Sequence, residues 1–199
     1  AVLGGYGLLA AVYTLPVPVM AQRGPQAAAL LAQAGYNSAH PLRLTLTYNT
    51  SENHKKLALA VAAMWKPLGV EVSLNNMEWN AYQVAKNSGD FMLARSFLFG
   101  DYVEPSSMLG SFRCQDPQNE SGYCNPVFDG LLQQASETLD ANVRSGIYHQ
   151  AEQLLMEEVP VIPVYHYNQM RLVDPALRGL PSRNLKGAIA TKDLYFSQP

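Results

Sequence analysis

Residues 42–95 read LRLTLTYNTSENHKKLALAVAAMWKPLGVEVSLNNMEWNAYQVAKNSGDFMLAR, and their periodicity decides the fold. Leu42, Leu44, Leu46 and Tyr48 alternate with polar residues, the period of a strand. Asn49, Thr50, Ser51 and Asn53 then offer capping side chains, and from Glu52 to about Lys66 the apolar Leu57, Val61, Met64 and Trp65 recur at helical spacing. Pro67 and Gly69 stop that helix. Val70-Glu71-Val72-Ser73-Leu74 alternates again, residues 79–86 read as a second helix, and Ser88-Gly89-Asp90 leads into a third strand at Phe91. Three strands separated by two helices are consecutive β-α-β units, which predicts an α/β fold with a mostly parallel sheet flanked by helices. Ligands of such sheets sit at the carboxyl ends of the strands, so residues 49–54 and 97–101 should share one rim.

The third strand carries an anomaly. Its apolar run Phe91-Met92-Leu93-Ala94 is interrupted by Arg95, and Phe97-Leu98-Phe99-Gly100 then leads to Asp101. A buried strand avoids an unpaired charge because stranding one is expensive. If Arg95 projects into a cleft, an anion-binding group and a cation-binding group lie at most roughly 20 Å apart along the chain. An extended tri- or tetrapeptide is on the order of 10–13 Å long. The alternative is that Arg95 lies on an edge and Asp101 caps the next helix.

Working outward, residues 1–21 are almost uncharged but broken by Gly4, Gly5, Gly7, Pro16 and Pro18, which argues against a membrane span. They read as a segment continuing from a longer protein, and residues 26–34, between Gly24-Pro25 and Gly35, as a short helix. Beyond Glu104, residues 105–109, 128–139 and 143–158 read as helices, and residues 159–167 as an extended, proline-punctuated stretch. Residues 171–199 read as loops with short strands. Cys114 and Cys124 bracket polar, turn-forming residues; a disulfide there would close a surface loop and place the protein in an oxidising compartment, against the alternative of two reduced thiols.

Composition narrows the function. The 199 residues are 48% hydrophobic and 15% charged with a net charge of −2, an ordinary globular chain with no basic surplus for nucleic acid. The four histidines, His40, His54, His149 and His166, form no HExxH pair, and no GxSxG or glycine-rich phosphate loop is present. Nothing in the sequence supplies a nucleophile with its base or a set of metal ligands, so neither enzyme activity nor a cofactor is expected.

Several blocks together resemble the periplasmic oligopeptide-binding proteins, the receptors of ABC-type peptide importers. They are Tyr48-Asn49-Thr50-Ser51-Glu52-Asn53-His54-Lys55-Lys56-Leu57-Ala58, Trp65-Lys66-Pro67-Leu68-Gly69-Val70, Gly100-Asp101-Tyr102-Val103-Glu104-Pro105, Asn125-Pro126-Val127-Phe128-Asp129 and Val161-Ile162-Pro163-Val164-Tyr165-His166-Tyr167. The oligopeptide and murein-tripeptide branch is the most similar. The resemblance implies the C-terminal lobe of a type II periplasmic-binding-protein-like fold: residues 1–21 enter from an earlier part, 22–168 form the ligand-binding lobe, and 169–199 cross back toward another lobe. It implies capture of a short peptide or murein peptide in extended form through its charged termini, with permease subunits of the transporter as partners. By that resemblance Asp101 meets the ligand's ammonium, Arg95 and His54 its carboxylate, and Tyr167 lines the site. One departure stands out. Where the family often has Gly-Trp-Cys-Ala, this chain has Phe97-Leu98-Phe99-Gly100, so Phe97 and Phe99 become the candidate ligand-facing aromatics and the family's long-range disulfide gives way to a local Cys114–Cys124 pair. A ligand-sensing domain of a regulator, built on the same module, is the competing role.

Overall fold

The computed structural model describes residues 17–165, 171–181 and 189–197, with side chains from Arg23 onward. Two compact units divide the chain: one extends to Leu98 and includes Glu120–Gly122, the other takes Phe99–Asn119 and everything from Tyr123 on.

The first unit is the β-α-β region. Strand β1 (Leu42–Asn49) is central, with β2 (Val70–Met77) on one side and β3 (Leu93–Ala94) on the other, all parallel. The β1–β2 register runs in step from Leu42↔Val70 to Asn49↔Met77. Helix α2 (Glu52–Trp65) connects them, tightening into a 3-10 turn at Lys66–Leu68 before Gly69. There φ is +83°, a conformation that glycine adopts without a Cβ penalty. Helix α3 (Trp79–Ser88) starts at Glu78, whose carboxylate accepts from the Asn80 N–H at 2.7 Å. It presents Tyr82, Ala85 and Lys86 as one buried face, the i, i+3, i+4 spacing of a helix.

Two elements differ from the sequence reading. Helix α1 spans Val17–Gln33 and runs through Pro25, where an entry proline had predicted a start at residue 26. An interior proline removes one amide donor and crowds the carbonyl four residues back, while the alanine-rich residues on its C-terminal side have high helix propensity and favour continuing the helix. Strand β3 is only two residues long: it pairs Leu46↔Leu93 and Thr47↔Ala94, and the chain then leaves regular geometry. The apolar run past Arg95 therefore belongs to the rim instead of the sheet.

In the second unit, α4 (Ser106–Leu109), α5 (Pro126–Glu137) and α6 (Ala141–Glu158) enclose a core of Leu109, Phe112, Phe128, Leu132, Ala135, Ile147, Tyr148, Ala151 and Leu155. Side-chain caps define the two long helices: Asn125 accepts from Val127 and Phe128, and Asp140 from Asn142 and Val143. The Cys114–Cys124 disulfide is formed, with Cα atoms 4.3 Å apart. Within its loop the Asn119 side-chain amide donates to the carbonyls of Arg113 and Tyr123, and at its base the Tyr123 ring meets Phe128 edge-on. A short antiparallel pair, β4 (Leu177–Arg178) and β5 (Tyr195–Phe196), closes the described chain.

Candidate functional site: the carboxyl rim of the parallel sheet

Because β1 and β3 are parallel neighbours, the segments leaving them emerge side by side. His54 sits in the first turn of α2, just past β1, with Nδ1 3.3 Å from the Asn49 carbonyl. Arg95 follows β3 directly and extends its ladder by one bond, its N–H donating to the Thr47 carbonyl at 2.9 Å. Partial burial holds the His54 pKa below its ordinary 6.5, and the positive charge of Arg95 pushes it further the same way; the hydrogen bond to Asn49 opposes both. At neutral pH His54 is thus largely uncharged beside the Arg95 guanidinium. An arriving carboxylate would favour its protonation and recruit it as a second cation. The Asn49 side-chain oxygen, buried and without a hydrogen-bond partner, adds an acceptor at the same strand end.

The guanidinium of Arg95 lies 5.2 Å over the Phe97 ring, so this aromatic, although 42% exposed, is engaged with the cation next to it. Phe99 is more open, at 73%.

Asp101 belongs to the second unit. Its own N–H and that of Tyr102 both donate to the Ser107 hydroxyl, at 2.6 and 3.2 Å. Glu104 accepts from Ser106 and pairs with Arg144 at 2.9 Å, while Arg144 also donates to the Thr138 carbonyl at the start of the turn before α6. The loop is therefore fixed by its backbone and by Glu104. Asp101 does not cap α4: the cap position is Pro105, with no side-chain bond. Among the described residues no group hydrogen-bonds the Asp101 carboxylate, which faces solvent.

Of the residues singled out from sequence, His54, Arg95 and Phe97 are brought together on one rim, and Phe99 and Asp101 are carried by the other unit. Tyr167 lies outside the described residues. Sequence reasoning overlooked Ser107, Glu104 and Arg144, which shape the Asp101 loop, and Tyr82, whose hydroxyl donates to the Arg95 carbonyl. The only sequence trace of these was Glu104 itself inside the Gly100–Pro105 block, since the others become neighbours only through folding. No group of three or more His, Cys, Asp or Glu among the described residues is arranged to hold a metal ion.

The model of Bacterial extracellular solute-binding proteins, family 5 Middle, matches residues 2–120, and the chain belongs to this family, whose members bind solutes and are not enzymes. Among individual relatives it is 44% identical over 172 residues to the periplasmic murein peptide-binding protein MppA of Escherichia coli, covering 86% of this chain and 32% of that protein. It is 38% identical over 178 residues to the probable deoxycholate-binding periplasmic protein YgiS of the same organism, covering 89% and 33%, and 39% identical over 176 residues to the periplasmic oligopeptide-binding protein OppA of Salmonella typhimurium, covering 88% and 32%.

Among solved structures, the murein tripeptide-binding protein MppA of Escherichia coli superposes with a TM-score of 0.80 at 42% identity, over 88% of this chain and 35% of that one. The Haemophilus influenzae OppA complex with RPPGFSPFR gives 0.81 at 33% identity, over 92% and 36%. The expected type II periplasmic-binding-protein fold is the one these structures share. The chain spans about a third of the length of the curated relatives it matches.

Proposed function

We propose that this chain is part of the receptor of an ABC importer, located in the periplasm, which captures short peptides in extended form by their charged ends and presents them to the permease subunits. The observation that carries this reading is the pair at the sheet rim, where Arg95 continues the strand ladder by one bond and acts electrostatically on His54. Such a pair suits a carboxylate. The exposed Asp101 carboxylate, on a loop held by other groups, suits an ammonium. Relatives named for murein peptide and oligopeptide binding support the same ligand class.

Calorimetry with trialanine on the protein at its full natural length tests this. Asp101→Ala should weaken binding by about 2 kcal/mol or more, the scale of stranding one partner of a desolvated charge pair. Replacing Lys55, an exposed rim lysine, should change it by less than about 0.5 kcal/mol. Unchanged affinity in Asp101→Ala would remove the ammonium site.

A second reading comes from the relative named for deoxycholate. That ligand offers a carboxylate and an apolar body but no ammonium, so it would use Arg95 and His54 with the exposed Phe97 and Phe99. Binding of deoxycholate that ignores Asp101→Ala would favour it over the peptide.

A further inference from the structure

Arg95 emerges from a strand of only two paired residues and lies beyond it, so the sheet alone fixes it weakly. A network on the α3 side adds to that hold. Tyr82, 1% exposed, donates its hydroxyl to the Arg95 carbonyl. One helical turn on, Lys86 holds its ammonium 5.4 Å over the Tyr82 ring and 3.2 Å from the Ser96 hydroxyl. Glu120 completes the set: its Oε2 lies 2.6 Å from Lys86 Nζ and accepts from the Ser96 hydroxyl at 3.1 Å. The Lys86 side chain is 7% exposed and that of Glu120 33%.

Two features separate this cluster from an ordinary surface ion pair. A buried ammonium needs its counter-charge, because removing one partner strands the other. A buried pair is nevertheless a poor source of stability compared with an apolar replacement, so its distinctive product is geometry. Here that geometry acts on one point of the chain: the Lys86 ammonium and the Glu120 carboxylate close on Ser96, the residue next to Arg95, while Tyr82 holds the peptide unit between the two. The pair has a second consequence. Glu120 would compete with a ligand carboxylate for the basic rim, and Lys86 together with Ser96 engages its Oε2 instead.

We propose that Lys86 and Glu120, acting through Ser96 and Tyr82, are positioning residues that set the placement of Arg95 and so the receptor's requirement for a ligand carboxylate. The inference rests on the role given to Arg95 above. Glu120 arrives from the loop closed by Cys114 and Cys124, so this loop has a part in recognition without touching ligand.

Two readouts on the protein at its full natural length test it. In the first, amide hydrogen exchange is followed at Arg95, with the β1–β2 ladder as internal control. Glu120→Gln and Lys86→Met should each speed exchange at Arg95 by about tenfold and leave the ladder unchanged, while Lys86→Arg, which keeps the charge, should stay near wild type. In the second, trialanine is compared with its C-terminal amide. The same two variants should lose about tenfold in affinity for the acid and nothing for the amide, again with rescue by Lys86→Arg.

Unchanged exchange at Arg95 in both variants overturns the proposal, as does an equal loss for acid and amide, which would mark a global disturbance. Should the wild-type protein bind acid and amide alike, the carboxylate role of Arg95 falls, and the exchange result alone then decides whether these residues hold it.

Discussion

Glu152 is the residue whose environment departs furthest from its chemistry. It stands on the buried side of α6, 1% exposed, and neither carboxylate oxygen has a hydrogen-bond partner among the described residues; His149 Nδ1 lies 3.7 Å away. Burial raises its pKa above the ordinary 4.5, and His149 only partly opposes this. A carboxyl that binds its proton more tightly folded than unfolded contributes stability that is complete below about pH 4.5 and is lost as pH rises through the folded value. Glu152→Gln, which keeps the shape and removes the charge, should therefore raise the unfolding free energy at pH 7.5 by roughly 1–3 kcal/mol. The gain should shrink toward zero near pH 4, and denaturant melts at the two pH values read it directly. The sequence offered no hint of this, because Glu152 lies in a run with Gln150 and Gln153 that reads equally well as a solvated face. Arg95 was different: a charge inside an apolar strand run is anomalous on the page, and the structure answers it with the strand end.

At the level of elements, patterns with strong periods were the legible ones. The β1–α2–β2–α3 succession appears with ends within a few residues of the reading, since alternation and 3.6-residue spacing register the burial that creates the sheet and its helices. Where period was weak, tertiary context took over: β3 shrank to Leu93–Ala94, and α1 absorbed the Gly24-Pro25 pair. The disulfide loop belongs to this scale too. The spacing of Cys114 and Cys124 among turn-forming residues foretold the bond, but not that the Asp129 carboxylate would accept from the Cys114 N–H or that Glu120 would turn toward Lys86. Replacing both cysteines by serine should cost about 3 kcal/mol of stability, the loop-closure entropy restored to the unfolded chain. A thermal or denaturant midpoint equal to wild type would show that the unfolded loop is already constrained.

On the scale of the whole molecule, affinity depends on how completely charged ligand ends are taken out of water. Ion pairs of the kind assigned to Arg95 and Asp101 contribute little in solvent and far more when water is excluded. The chain covers about a third of the length of its relatives and carries exposed Phe97, Leu98 and Phe99 along the segment between these two charges. Expressed by itself, it should bind trialanine at least about a hundredfold more weakly than the protein at full natural length, a loss on the scale of two solvated charge pairs. Equal affinities would place the whole site within these 199 residues. What the sequence by itself determined is the parallel α/β layout, the family, the disulfide and the identity of the basic rim residues, because each is written in local periodicity or in a short ordered block. Only the tertiary structure decided how those residues are held. Tyr82, Lys86, Ser96 and Glu120 are scattered over nearly forty positions, and a hydrogen-bonded cluster of that kind exists only once α3, the end of β3 and a distant loop have been folded against one another.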